Sequence, residues 1–222
     1  MIKKIITWLS LILIAVLAVP VILLLFLISV IWSLTGSITA WMDKRRKNSE
    51  INRISCEKEV VNMEIRNATI EDLEAISAVE AECFPPAEAA SAEDFRTRLE
   101  NYPDHFWLLW DGSQLVGFVD GMVTDERDLA DEMYEKAGMH NENGRWQMIF
   151  GVNTIPAYRN RGCAEMLIRR AIDDAKAQGR AGLVLTCKEK LIHYYAKFGF
   201  VNEGISGSVH GNVQWYQMRL VF

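Results

Sequence analysis

Residues 146–179 read WQMIFGVNTIPAYRNRGCAEMLIRRAIDDAKAQG, and this stretch decides the fold. Its first part is an apolar run rich in Ile, Phe and Val without strict alternation, as suits a strand covered on both faces. Pro156 stops that run. Beyond the turn, Ala164, Leu167, Ile168, Ala171, Ile172 and Ala175 recur at helical spacing, with Glu165, Arg169, Arg170, Asp173 and Lys176 elsewhere. Gly179 supplies a left-handed stop. The spacing predicts a strand, a turn bearing arginine and glycine, and a helix.

A helix start presents backbone N–H groups and a partial positive charge, and Gly162 and Ala164 carry too little side chain to block an anion there. The turn is neither G-x-x-x-x-G-K-[ST] nor G-x-G-x-x-G. Arg159-Asn160-Arg161-Gly162-Cys163-Ala164 instead resembles the Q/R-x-x-G-x-G/A loop of the GNAT N-acetyltransferases. Downstream, residues 183–200, LVLTCKEKLIHYYAKFGF, resemble the strand, short helix and Y-x-x-F-G-F ending of that family. Glu82-Cys83-Phe84, Asp125-Glu126-Arg127, Cys187 and residues 204–218 bring the likeness nearer to its arylalkylamine (serotonin) N-acetyltransferase branch.

The resemblance covers residues 63–222 and implies an acyl-CoA N-acyltransferase fold, a mixed central sheet flanked by helices. It implies acetyl transfer from acetyl-CoA to a primary amine, a small arylalkylamine above a protein or peptide amino group. It further implies a CoA site at Val152, Asn153 and Thr154 on the strand and at Arg159, Asn160, Arg161, Gly162, Cys163 and Ala164 on the turn. Tyr195 stands where the family has its general acid, with Tyr194 as local competitor. A phenol of ordinary pKa ~10 donates a proton at neutral pH more readily than it accepts one. Where the vertebrate arylalkylamine enzymes carry a histidine pair, this chain has Met148 and Phe150, and neither takes a proton. Water, His210, His193, Glu82 and Glu80 stay open as routes for the amine's proton. Met148, Phe150, Phe84, Pro85 and Trp215 are either an apolar amine site or core. The missing histidines leave a non-catalytic CoA-binding membrane protein as a further alternative.

Outside this unit the composition changes. Residues 5–32 carry no charge, longer than the ~18–20 apolar residues that span a bilayer and than a signal-peptide core of ~7–15. They are expected to form one transmembrane helix within an anchor over residues 1–43, with a polar linker over residues 44–62. Lys44, Arg45, Arg46 and Lys47 on the far side orient the catalytic domain to the cytoplasm. Met63 is an alternative start that would leave a cytoplasmic enzyme. The net charge of −5 argues against a nucleic-acid partner. Four cysteines without C-x-x-C spacing read as reduced thiols, and four scattered histidines give no support for a metal.

Within residues 63–222, Ile65 begins a strand, Thr69 and Asp72 start a helix that runs to Cys83, and Ser91 with Asp94 starts another bearing Phe95 and Leu99. Residues 105–110 and 115–122 flank Asp111-Gly112 as a hairpin. Residues 125–138, with six carboxylates, are expected to form a solvent-facing helical insertion. A helix is expected at residues 190–197, and a last, half-covered strand at residues 213–222.

Overall fold

A computed structural model describes residues 32, 39, 41–47, 63–209, 211 and 213–222. The expected membrane span at residues 5–32 lies outside the described residues, Trp32 apart. Among the described residues no helix is long and apolar enough to cross a membrane. The chain divides into two compact units, Met1–Glu59 and Val60–Phe222. In the first, residues 41–47 are helical and exposed, so the expected polar linker begins in a helix. Met42, Lys44, Arg45, Arg46 and Lys47 are good helix formers without a glycine or proline to interrupt them.

The second unit is one seven-stranded sheet of order β1-β2-β3-β4-β5-β7-β6, formed by Met63–Asn67, Phe106–Asp111, Gln114–Thr124, Trp146–Thr154, Gly182–Cys187, Val201–Ile205 and Tyr216–Val221 as β1 to β7. Every pairing is antiparallel except β4 with β5. Helices α1 (Leu73–Cys83), α2 (Ala92–Asn101), α3 (Glu132–Glu135), α4 (Cys163–Ala177) and α5 (Ile192–Ala196) connect the strands. The sheet is therefore mixed and flanked by helices, as expected.

Local chemistry accounts for the starts. Ser91 Oγ accepts from Asp94 N at 3.2 Å while the Asp94 carboxylate accepts from Ser91 N at 2.8 Å, a closed capping box for α2. Leu167, Ile168, Ala171, Ile172 and Ala175 on α4 are buried, and their row lies against the sheet. Met148 at the middle of β4 is fully buried between Met122 of β3 and Val184 of β5.

Three expectations are corrected. Residues 125–138 are no solvated helix: α3 is a single turn, and Leu129, Met133 and Ala137 are buried while the carboxylates stay outside. The last strand begins at Tyr216, and both Met218 and Arg219 are buried. Arg219 departs from the alternation because Glu203 and Asp128 each meet its guanidinium at 2.8 Å and Trp146 stacks on it. The helix expected at residues 190–197 is a 3-10 turn, Glu189–Leu191, followed by α5.

One irregularity matters for the site. Asp120 pairs with Gly151 but Gly121 pairs with Ile149, so Phe150 is the additional residue of a β-bulge in β4. A Cβ on Gly121 would sit 1.8 Å from the Met148 carbonyl oxygen, so only glycine allows that approach. The parallel ladder between β4 and β5 ends beside the bulge, at Ile149 opposite Leu185.

Candidate active site

Where the β4–β5 ladder stops, two cavities open between the strand ends. One of about 370 Å³ is lined by Phe150 and Val152 from β4, Thr186 and Cys187 from β5, and Tyr195 from α5. It shares Cys83, Phe84, Val152, Arg159, Leu191 and Tyr195 with a groove of about 620 Å³ that runs to the start of α4. A third cavity, about 470 Å³, adjoins the first and shares Phe84, Glu88, Phe150, Thr186 and Trp215 with it.

The groove ends on the turn. Gly162 caps α4 with φ +85°, and a Cβ built on it meets nothing within 4 Å, so the backbone faces open space. Asn160, at φ 63°, supplies a second left-handed residue. Two such residues bracket Arg161 and curl the chain so that Asn160, Gly162, Cys163, Ala164 and Glu165 line one wall. Arg159 Nε donates to the Thr154 carbonyl at 3.0 Å, which ties the turn to the end of β4. The N–H groups of the first turn of α4 have no partners within the helix, and the dipole favours an anion beside them.

Among the residues expected to hold CoA, Val152, Thr154, Arg159, Asn160, Gly162, Cys163 and Ala164 come together along the groove. Asn153 and Arg161 do not line it. Asn153 is fully buried, with neither amide atom in a hydrogen bond, and Arg161 lies over the Tyr158 ring at 5.1 Å.

Tyr195 lies at the meeting point, 6 % exposed, lining both the groove and the strand gap. Burial, with Cys187 and Tyr194 as lesser influences, pushes its phenol far above the ordinary tyrosine range, so it carries a proton to give. Tyr194 meets it edge-on at 5.4 Å and lines the groove but not the gap. Cys187, also in the gap, is pushed up to about 11 by burial and stays a thiol.

Of the routes open for the amine's proton, His193 and Glu82 are exposed and line none of these cavities. His210 lies outside the described residues. Glu80 is 6 % exposed, lines the third cavity, and accepts from Ala90 N at 3.0 Å. Burial pushes its carboxyl up to about 7, helped by Asp120 and opposed by the Ala90 N–H, Arg98 and the Asn153 amide. Its helix spacing alone does not set it apart from Glu82. Met148 is core, whereas Phe150, Phe84 and Trp215 do line the cavities.

The histidines, scattered in sequence, are not all apart in space. His105, His140 and Glu142 bring ligand atoms within 4.8 Å of one another. Yet Val123 N donates to His140 Nδ1 at 3.2 Å, which uses the one lone pair of a neutral imidazole, and Arg180 occupies Glu142. His140 Nδ1 and one Glu142 oxygen are thus already engaged within the protein.

The sequence profile of the acetyltransferase (GNAT) family matches residues 73–200, which contain the bulge, the turn and Tyr195. The chain belongs to the GNAT acetyltransferase family. It is an acetyl-CoA-dependent N-acetyltransferase. The chain is 25 % identical over 120 residues to glucosamine 6-phosphate N-acetyltransferase 1 of Oryza sativa subsp. japonica, spanning 54 % of this chain and 70 % of that one. Its fold is similar to the loading GNATL domain of CurA from Lyngbya majuscula, at a TM-score of 0.63 and 17 % identity over 72 % of this chain and 97 % of that one. It is likewise similar to the PaiA N-acetyltransferase of Thermoplasma acidophilum in complex with coenzyme A, at a TM-score of 0.55 and 18 % identity over 72 % and 99 %.

The residues fit the co-substrate of a GNAT enzyme. The groove from the α4 start to the β4–β5 gap offers backbone N–H groups for a pyrophosphate at one end and an opening between strands for a thioester at the other.

Proposed function

We propose that this acetyltransferase acts on a small cationic amine with an aromatic or aliphatic body, an arylalkylamine-like acceptor, by direct attack in a ternary complex. The observation that carries this reading is the junction at Phe84, Phe150, Thr186 and Trp215, where the CoA groove meets the cavity holding Glu80. Six carboxylates and one arginine line that cavity, and Asp120 neutralises the arginine at 3.0 Å. Such a lining attracts an ammonium group and repels a phosphate. That disfavours for this chain the phosphorylated amino sugar named for its rice relative. Phe84, Tyr134, Phe150 and Trp215 give the body of the amine apolar walls.

On this reading the ammonium arrives from the acidic cavity and gives one proton to Glu80. The free amine attacks the thioester carbonyl, forming the C–N bond; the C–S bond then breaks and the departing thiolate takes the proton of Tyr195. The nitrogen sheds its second proton as the amide forms, which restores through solvent the proton that Tyr195 gave up, and Glu80 then loses the first to solvent, so one proton is released per turnover. Val152, Thr154, Arg159, Asn160, Gly162, Cys163 and Ala164 would hold the cofactor.

The test is thiol release by the full-length chain over arylalkylamines, linear diamines, amino-sugar phosphates and peptides. Turnover led by arylalkylamines is expected; preference for the phosphorylated sugar or for peptides would refute the acceptor assignment. We further propose that residues 5–32 anchor the enzyme as a single membrane span with its catalytic domain in the cytoplasm, as the charge-free run and the basic residues after it suggest. Carbonate-resistant membrane association that is lost on deleting residues 1–43 would bear this out, and retention in the soluble fraction would refute it.

A further inference from the structure

Beneath the acceptor cavity lies a buried ion pair that the reaction as described leaves unused. Arg98 of α2 is 5 % exposed and Asp120 of β3 is 2 % exposed. Arg98 Nη1 donates to Asp120 Oδ2 at 3.0 Å, and Nη2 donates to the Tyr134 carbonyl at 3.0 Å. The guanidinium lies 5.0 Å over the Phe150 ring, whose other neighbour is Tyr134 at 4.7 Å. Burial pushes the Asp120 carboxyl up, against the pull of Arg98 and of the Gly151 backbone N–H beside it, and a Cβ on Gly151 would come within 2.8 Å of Asp120 Oδ1. The pair therefore grips the bulge from below and the aromatic wall from the side. Both members line the cavity that also holds Glu80.

A buried pair of this kind rarely repays its desolvation in stability. Its placement suggests another use. We propose that Arg98 and Asp120 are positioning residues for acetyl transfer: they fix Phe150 and Gly151 at the junction and set an anion, held by its cation, in the cavity wall that also carries Glu80. The inference rests on Glu80 being the base. An anion beside a carboxylate disfavours its ionised form, and a cation favours it.

Among the described residues, the other groups around Glu80 carry little free charge toward it. Ala90 gives its N–H at 3.0 Å, and the Asn153 amide of β4, though in no hydrogen bond of good geometry, also favours the ionised carboxylate. Cys83 on the same helix is a thiol held protonated by burial. Glu88 is neutralised by Lys188 at 2.8 Å, and Asp94 is engaged by Ser91. Asp131 bonds Ser208 and Val209, Tyr134 stays a phenol, pushed up to about 12 by burial, and Glu135 is exposed at the rim. Among the described residues, Asp120 and Arg98 are thus the full charges buried with Glu80, the Glu88–Lys188 pair apart.

The experiment is kcat/KM for the amine against pH in the full-length enzyme. Asp120→Asn keeps the shape beside Gly151 while removing the charge. Its acid limb is expected to move to lower pH by about one unit, with KM for acetyl-CoA unchanged. Replacing both members, Asp120→Asn with Arg98→Met, removes the opposing influences together and leaves no lone buried charge, so it folds even where the single variant does not. The double variant should shift the limb by less than the single one. Glu80→Gln separates the two readings. If it abolishes the limb while Asp120→Asn leaves it in place, the positioning role is overturned and the base stands. If the limb survives Glu80→Gln, the base and this inference both fall.

Discussion

Trp107 on β2 donates its indole N–H to the Asp174 carboxylate on α4 at 2.7 Å. The bond crosses from sheet to helix and fixes the axial position of α4, and hence where its first turn meets the groove. Asp174 also pairs with Arg170 at 2.9 Å, so one carboxylate serves the core and the surface. Asp174→Ala leaves a buried indole N–H unsatisfied, a cost of about 1–3 kcal/mol. Asp173→Ala, one residue away and exposed, should fall within about 0.5 kcal/mol of the parent. Urea unfolding of both variants checks this; equal midpoints would show that the bond does not hold the helix.

The anion-binding turn is testable through Gly162. Asn and Asp tolerate the left-handed backbone better than other side chains, so neither need unfold the turn. Since a Cβ there meets nothing within 4 Å, the added group projects into the groove. KM for acetyl-CoA should rise in the order Gly, Asn, Asp, with Asp at least tenfold above Gly because its charge opposes a phosphate. KM for the amine should hardly move. Equal effects of Asn and Asp would mean the anion lies elsewhere.

Much of the scaffold was legible because its signals are local. The α4 face from Leu167 to Ala175, the Ser91–Asp94 box and the hairpin at Gly112 each follow from neighbours in sequence. What escaped depends on long-range pairing. The bulge at Phe150 exists only against β3, and Arg219 is buried only because Glu203 and Asp128 reach it across the sheet end. Residues 125–138 were misread because charge density masked three apolar anchors, Leu129, Met133 and Ala137. The site divides likewise: the turn and Tyr195 stood in a readable motif, whereas Glu80 and Glu82 look alike until burial separates them.

Glu80 gives a stability and an activity signature of opposite sign. Its folded pKa is raised to about 7, so between its ordinary value and 7 the fold keeps a proton that the unfolded chain has lost. Stability therefore falls as pH rises through that window and stays lower above it. Glu80→Gln, which never ionises, should be more stable than the parent at pH 8, by up to about 3 kcal/mol. Activity in the parent should rise through about pH 7, and the variant should lose it. A parent whose kcat/KM is flat from pH 6 to 8 would exclude Glu80 as the base.

Acid should weaken the fold through His140. Burial and the neighbouring His105 hold its pKa below the ordinary value, with Glu142 opposing. The unfolded chain takes up a proton that the fold resists, so stability declines as pH falls below about 6.5. Burial pushes Glu142 up but is outweighed by His105 and Arg180, leaving its carboxyl lowered, so its contribution is lost at still lower pH. His140→Gln should make the urea midpoint less steep between pH 5 and 6.5. An unchanged slope would assign acid lability to other groups.

The last prediction concerns the proton delivered to the leaving thiolate. Tyr195 sits where groove and strand gap meet, and its raised pKa means that it donates rather than accepts at every physiological pH. Tyr195→Phe keeps the ring that packs edge-on against Phe200 at 6.1 Å and removes only the hydroxyl. Folding and CoA binding should survive while kcat falls. General acid catalysis is worth about 10²–10⁴-fold, and a coenzyme A thiolate leaves fairly readily, so the low end is expected. The loss should shrink with acyl donors whose thiols are more acidic, because these depart with less help. Tyr194→Phe is the matched control: it lines the groove but not the gap, and its helix position turns it about 100° away. It should change KM for acetyl-CoA at most. Equal small losses in both variants, insensitive to the leaving group, would return Tyr195 to a packing role and require the proton to come from elsewhere in the gap.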